Sequence, residues 1–210
     1  METPIDRDNV VKLFSKRSSM QVFLEALKEI CPKKNKFKAH IVVAFITLLP
    51  SLIIVFSLDT VSSFINAVET FNSIVLGLFG IVFMGYSFFQ ALISDELLTR
   101  LLTSNLNTND DKSKLQESNE YFTNVMMLHV ISILINFFLI ITIGSLESDF
   151  HLPMHHYINC SLALLGVWIY FIFSFLVVWE MKSFIFNSFQ LFNAHAGARA
   201  LNILKSNDQD

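Results

Sequence analysis

Four long apolar runs without Asp, Glu, Lys or Arg constrain this chain more than any other feature. They cover residues 39–58, 73–93, 125–143 and 158–179. A helix needs about 20 apolar residues to cross the hydrocarbon layer of a bilayer. The runs are continuous and do not alternate between apolar and polar residues, so they do not fit the strands of a membrane β-barrel. The sequence therefore predicts an all-α integral membrane protein with four transmembrane helices.

The composition agrees with a chain that folds in lipid. Hydrophobic residues make up 53 % of the 210 residues and charged residues only 16 %, whereas soluble domains contain about 25 % charged residues. Phenylalanine is abundant, at 22 residues, and it suits lipid-facing and helix-packing surfaces because it has no polar atom to satisfy. The composition argues against a soluble enzyme or a soluble binding domain.

Basic residues flank only one side of the predicted membrane region. Of the 15 Lys and Arg residues, nine lie in residues 1–38, three in 94–124 and three in 180–210, while the connections 59–72 and 144–157 contain none. Lys and Arg near a transmembrane helix stay on the cytoplasmic side. We therefore predict a multi-pass membrane protein in which both termini are cytoplasmic and the two connections are external.

This topology divides the chain into three regions. Residues 1–38 are predicted to form a cytoplasmic amphipathic helix and a basic segment. Residues 39–180 form the transmembrane domain, in which a cytoplasmic helical hairpin, 94–124, extends the second and third spans. Residues 181–210 form a cytoplasmic helix and tail, since Phe184, Ile185, Phe189 and Phe192 recur at helical spacing but are interrupted by polar residues.

The amino-terminal amphipathic helix is predicted for residues 19–31. Ser18 and Gln21 have the spacing of a capping box, and Pro32 marks the end of the helix. The helix is expected to lie on the inner leaflet or to cover the cytoplasmic ends of the spans; a gating or partner-docking role is the alternative. Its apolar face is expected to consist of Met20, Phe23, Leu24, Leu27 and Ile30.

A basic cluster follows this helix, formed by Lys33, Lys34, Lys36 and Lys38. Each positive charge beside a span is attracted to anionic lipid by about 1 kcal/mol, so lipid anchoring is the simplest interpretation. Phosphate recognition needs the same charges. The alternative is therefore a nucleotide or nucleic-acid ligand that binds the cluster.

The predicted hairpin contains leucines at helical spacing on its first arm and apolar residues seven apart on its second. Leu97, Leu98, Leu101 and Leu102 form the first set, and Leu115 and Phe122 the second, with a turn at 105–111. Packing within one subunit explains this pattern. An oligomerisation or ligand-sensing surface is the alternative.

Two spans carry stripes of small or polar residues. In the second span the stripe is Ser73, Gly77, Gly80, Ser87 and Ala91; in the third it is His129, Ser132 and Asn136, at positions i, i+3 and i+7. Small residues allow helix backbones to approach closely, and a buried amide seeks a partner. Both stripes are therefore expected to face protein or water, either as helix interfaces or as a pore lining, and to combine into one face.

The sequence contains none of the common catalytic motifs. It contains no zinc-protease motif, nucleophile elbow, pair of intramembrane aspartates or glycine-rich phosphate loop. Acidic and histidine residues in 144–157 fit no defined zinc signature. We expect a protein that is not an enzyme and that needs neither a cofactor nor a metal.

The layout of four spans and flanking cytoplasmic helices resembles the small four-helix membrane effectors of bacterial anti-phage defence, of which the Hailong-type effector is an example. The resemblance covers residues 39–179 and is architectural, since it rests on no diagnostic motif. It implies a location in the bacterial inner (plasma) membrane and an oligomeric channel that depolarises this membrane when a cytoplasmic trigger alters its gate.

Two functions remain open at this point. The first is an oligomeric effector that conducts ions, because four spans with short external loops and no internal repeat leave little room for a transporter. The second is a non-conducting anchor or adaptor that recruits a soluble cytoplasmic partner. Membrane lipids and further copies of the chain are the other expected partners.

Overall fold

The computed structural model describes residues 17–31, 37–103, 113–147, 150 and 153–207. Of these residues, 90 % are helical and none is in a strand, which confirms the all-α prediction. The described helices are α1 (Ser19–Ile30), α2 (Phe37–Val55), α3 (Thr60–Leu92), α4 (Asp95–Thr103), α5 (Lys114–Gly144) and α6 (His156–Asn207).

Four of these helices are long and apolar enough to cross a membrane, namely α2, α3, α5 and α6. Each contains one of the four charge-free runs. The count of four candidate spans agrees with the sequence prediction and supports a multi-pass membrane protein. Large apolar side chains are exposed along all four helices, which is the surface that a lipid environment accommodates.

The helices extend well beyond the apolar runs. α3 begins at Thr60, 13 residues before the predicted span, because Asp59 caps it by accepting a hydrogen bond from the Ser62 amide at 3.0 Å. The connection expected at 59–72 is therefore mostly helix. α6 has 52 residues, so the segment after the fourth span continues that helix instead of forming a separate one.

The bundle has two unlike ends. At one end, which we call the α1 end, lie α1, α4, the first turns of α5 and the carboxyl-terminal half of α6. At the other, which we call the loop end, lie the connections at residues 56–59, 145–147 and 153–155.

Helix α1 begins with the predicted capping box. The Ser18 amide donates to Gln21 Oε1 at 2.9 Å and the Gln21 amide donates to Ser18 Oγ at 3.2 Å. The helix packs on α5 and α6 through a cluster of Ala26, Leu128, Ile131 and Val177. α1 therefore covers part of the surface that α5 and α6 form.

The buried face of α1 differs from the one predicted. Val22 and Ala26 are buried, whereas Met20 is 65 % exposed and Leu24 is 49 % exposed. Phe23, Leu27 and Ile30 are half-buried against the same cluster. Ala26 has a small side chain that brings the two backbones close together, which rotates the apolar face toward it.

The predicted hairpin leucines pack within the chain. Leu97, Leu101 and Leu102 of α4 are buried in one cluster with Leu115 and Phe122 of α5. α4 is separate from α3, because Ser94 interrupts the helix and its Oγ accepts from the Leu97 amide at 3.3 Å. The predicted turn at 105–111 lies outside the described residues.

Gly85 lies at a close contact between α3 and α6. A Cβ atom built on Gly85 would lie 2.6 Å from Cζ of Phe184. Phe184 is buried and makes an edge contact with Phe122 at a centroid distance of 5.7 Å. The ring has little freedom to move away, so the position requires glycine.

Candidate functional site

The polar stripe of the third span lies in the centre of the bundle. His129, Ser132 and Asn136 of α5 are all 0 % exposed. Their spacing places them on one helical face, and α3 and α6 pack over part of that face. We call these three residues the α5 polar column. The structure thus places all three side chains away from lipid.

Asn136 is held by two neighbouring helices. Its Oδ1 accepts a hydrogen bond from the Tyr170 hydroxyl of α6 at 3.1 Å, and its Nδ2 donates to Asn72 Oδ1 of α3 at 3.4 Å. An unpaired amide in an apolar interior is costly. The three side chains therefore cross-link α3, α5 and α6 at one level.

Aromatic packing fixes the Tyr170 ring. It makes edge contacts with Phe64, at a centroid distance of 5.3 Å, and with Phe71, at 6.0 Å. The residue is buried in a cluster with Val55, Val68 and Val167. Because the ring is held on two sides, its hydroxyl has a fixed direction toward Asn136.

The other polar groups near the column keep unused hydrogen-bonding capacity. His129 Nδ1 lies 2.8 Å from the Val125 carbonyl oxygen, so Nδ1 carries the proton and Nε2 is an acceptor. Nε2 and the hydroxyl of Ser132 are buried without a hydrogen-bond partner among the described residues. These groups can hydrogen bond to a new partner when the helices shift.

The stripe of the second span lies on the outer surface of the bundle. Ser73, Gly77, Gly80, Ser87 and Ala91 are all exposed. A Cβ atom on Gly77 or Gly80 would have no atom within 4 Å. We call these five residues the α3 outer stripe. The exposed Met84 side chain interrupts the stripe between Gly80 and Ser87, and large exposed side chains flank it, among them Ile74, Ile81 and Phe88.

The hydroxyl groups of the α3 outer stripe are satisfied by their own helix. Ser73 Oγ donates to the Glu69 carbonyl and Ser87 Oγ donates to the Phe83 carbonyl, both at 3.0 Å. These bonds remove most of the cost of placing a serine in lipid. The stripe is thus compatible with lipid, and the open space at Gly77 and Gly80 also leaves room for a second helix.

The two stripes do not form one face within a chain. The α5 polar column is enclosed by α3 and α6, whereas the α3 outer stripe points away from the rest of the chain. The expectation of a combined face is therefore wrong for a single subunit. The helical period explains the separation. The inner face of α3 consists of Val68, Val75, Val82 and Phe89, and a period of 3.6 residues places the outer stripe on the opposite side of the helix.

Most of the basic cluster lies outside the described residues. This applies to Lys33, Lys34 and Lys36, while Lys38 is exposed in the first turn of α2. His40, two residues further, places Nε2 3.0 Å from the Ile30 carbonyl oxygen and so joins the start of α2 to the end of α1. Lipid and polyanion binding by the cluster remain predictions.

The structure identifies three important residues that the sequence did not predict. Asn72 and Tyr170 complete the hydrogen bonds of Asn136, and Gly85 permits contact with Phe184. Asn72 lies just outside the predicted second span, so the search for intramembrane polar groups excluded it. A single tyrosine in an apolar run gives no sequence signal about its partner.

Comparison with known proteins adds no assignment. No protein-family model, no curated protein and no solved structure matches the chain. The arrangement of α2, α3, α5 and α6 defines the class as a helical protein with four candidate membrane spans. Function must therefore be argued from the geometry of this chain.

Proposed function

We propose that the protein is a multi-pass membrane effector that assembles side by side through α3 and conducts ions. The observation that carries the proposal is the α3 outer stripe, which exposes small residues along a surface otherwise covered by large apolar side chains. Close helix contact between subunits is favoured at such a surface. The resemblance to anti-phage membrane effectors implies the same kind of assembly, with depolarisation of the membrane as its effect.

The α1 end faces the cytoplasm in this proposal. All basic residues lie before the first apolar run, between the second and third runs or after the fourth run, and basic residues resist translocation. A cytoplasmic trigger then acts on α1 and α4, which both pack on α5, the helix that carries the α5 polar column. If the helices around the column separate, Nε2 of His129 and the hydroxyl of Ser132 become available for new hydrogen bonds.

Ion flux from purified protein tests the proposal. Proteoliposomes loaded with K⁺ should depolarise when they contain the wild-type chain, and Gly80→Leu should reduce the flux at least several-fold because leucine separates the subunits. Phe83→Leu, a substitution at another exposed position of α3, is the matched control and should leave the flux unchanged. Flux from the wild-type chain no higher than that of protein-free liposomes, or equal flux from Gly80→Leu and the wild-type chain, would contradict the proposal.

A second function is favoured by a different observation. Both polar atoms of the Asn136 side chain are hydrogen bonded inside one chain, as expected of a group that serves helix packing. The corresponding proposal is a non-conducting anchor or adaptor whose α1 end recruits a soluble partner. Purified protein that forms oligomers but carries no current in planar bilayers would favour this function over the first.

A further inference from the structure

The amino-terminal part of α3 lies level with the apolar runs of its neighbouring helices. Val68 is buried in one cluster with Val55 of α2 and Tyr170 of α6. Tyr170 is near the middle of the apolar run 158–179, and Val55 belongs to the apolar run of α2. Residues 60–72, which the charge pattern predicts to be an external connection, therefore lie at the depth of the hydrocarbon layer that these runs define.

Helix α5 gives the same depth. Asn136, near the middle of the apolar run of α5, donates a hydrogen bond to Asn72 of α3. The apolar run of α3 is displaced toward the α1 end, where Gln90 Nε2 donates to Oδ1 of Asn119 at 3.2 Å, on the polar first turns of α5. The middle of the hydrocarbon layer therefore falls near Asn72, at the edge of the apolar run of α3.

At this depth α3 differs from its neighbours in the residues that it exposes. The exposed residues within 60–72 are all polar, namely Ser62, Asn66, Glu69 and Thr70. Large apolar side chains are exposed at the same depth on α5 and α6, among them Phe137, Phe138, Ile141, Leu162, Leu165 and Ile169. We call Ser62, Asn66 and Glu69 the α3 polar stripe. These three residues recur at positions i, i+4 and i+7, and they continue along one side of the helix into Ser73, the first residue of the α3 outer stripe.

The Glu69 carboxylate lies at this depth without a cationic partner. It forms no ion pair with the residues that the structure describes. The four apolar runs and the connections 59–72 and 144–157 contain no Lys or Arg, so a second copy of the chain, inserted the same way, brings no such residue to Glu69 either. Lipid is a costly environment for a carboxylate, and acidic residues at membrane depth face protein or a water-filled cavity. The α3 polar stripe therefore requires water beside it.

We propose that the α3 polar stripe lines a water-filled path between copies of the chain and that the Glu69 carboxylates, one from each subunit, select cations over anions in it. This inference rests on the proposed function, because subunits that meet through the α3 outer stripe bring the polar stripes on the same side of α3 toward one space. Rings of carboxylates are the usual selectivity element of cation channels. The permeant ion in this path is a hydrated monovalent cation such as K⁺.

Reversal potentials in planar bilayers under a KCl gradient test the selectivity. The wild-type chain should prefer K⁺ over Cl⁻ several-fold, and Glu69→Gln, which keeps the shape of the side chain, should conduct with most of that preference lost. Glu147→Gln is the matched control, because Glu147 is an exposed carboxylate on the connection after α5. An unchanged preference in Glu69→Gln, while the wild-type chain conducts, would overturn this inference and leave the proposed function standing. Absence of current from the wild-type chain would refute both.

Thiol chemistry at the same position tests whether it faces water. In a chain without its two natural cysteines, Glu69→Cys should react with water-soluble thiosulfonate reagents. A sulfonate-bearing reagent should restore the preference for K⁺, and a trimethylammonium-bearing reagent should shift the preference toward Cl⁻. Ile169→Cys, at the same depth on the lipid-exposed side of α6, is the control and should not react. No reaction at position 69, or equal reaction at position 169, would show that Glu69 faces no water-filled path and would overturn the inference.

Discussion

A single amide connects three helices of this bundle. Asn136 uses both its oxygen and its nitrogen, toward Tyr170 and Asn72. In lipid such bonds add less stability than their geometry implies, because the separated helices also find partners. Their main effect is to fix which faces of α3, α5 and α6 meet.

Removal of the tyrosine hydroxyl measures this connection. Tyr170→Phe keeps the edge contacts with Phe64 and Phe71 and removes only the donor to Asn136. We expect a loss of about 0.6 kcal/mol in the free energy of unfolding. A double-mutant cycle with Asn136→Leu, followed by SDS-induced unfolding, should show a coupling energy of the same size, and a coupling of zero would contradict the hydrogen bond.

Gly85 and Gly80 give opposite expectations for the same substitution. Gly85→Ala introduces a Cβ atom 2.6 Å from the Phe184 ring, so we expect a destabilisation of about 1–3 kcal/mol. Gly80→Ala has open space around it and should leave the stability of one chain unchanged or slightly increased. Thermal unfolding in detergent distinguishes the two; equal effects would refute the contact between α3 and α6.

At the scale of elements, α3 has two functional sides. Val68, Val75, Val82 and Phe89 recur every seven residues and are buried, which is the spacing of an antiparallel helix seam. The α3 outer stripe lies on the opposite side of the same helix. A substitution in α3 therefore affects either the fold of one chain or its contact with another, depending on its position.

The sequence predicts the number of spans but not which side of each faces inward. Length and absence of charge identify a span, and these signals were sufficient for α2, α3, α5 and α6. Inner and outer faces are both apolar in lipid: Val75 is 0 % exposed and its neighbour Leu76 is 49 % exposed. Polar residues are the exception, and the burial of Asn136 was predictable for that reason, whereas its partners were not.

Helix α1 shows the same limit at an aqueous boundary. The hydrophobic pattern favoured its largest apolar residues, yet the close contact is made by Ala26. Small size determines the approach of two backbones, and hydrophobicity scales give it little weight. The capping box was predictable, because it depends only on local spacing.

Docking of α1 is expected to depend on Ala26 more than on Arg17. Ala26→Leu overpacks a residue that is 0 % exposed and should detach α1, with a cost of about 1–3 kcal/mol. Arg17→Gln removes partly exposed ion pairs and should have a smaller effect. Tryptic cleavage after Lys28 measures detachment. Met20→Leu, at an exposed position, is the control; if it increases cleavage as much as Ala26→Leu does, the docking account is wrong.

At the scale of the whole molecule, the bundle is asymmetric between its ends. The α1 end carries two additional helices and a polar cavity, while the loop end has short connections. In the proposed orientation the cytoplasmic end receives signals and the external end only joins helices. This asymmetry agrees with the one-sided distribution of basic residues.

Thiol labelling of intact cells tests that orientation. Cysteines introduced at Ser62 and Met154, both exposed at the loop end, should react with an impermeant reagent in a Cys160→Ser background. Cys31, which is exposed beside α1, should react only after the cells are permeabilised. Labelling of Cys31 in intact cells would reverse or abolish the proposed topology.

Assembly through the α3 outer stripe is the central claim, and disulfide cross-linking in native membranes tests it most directly. In a chain without its two natural cysteines, Gly77→Cys and Gly80→Cys should give dimers or larger species on mild oxidation. Leu134→Cys, at an exposed position of α5, should stay monomeric. Cross-links at Leu134 alone, or none at either glycine, would contradict assembly through α3.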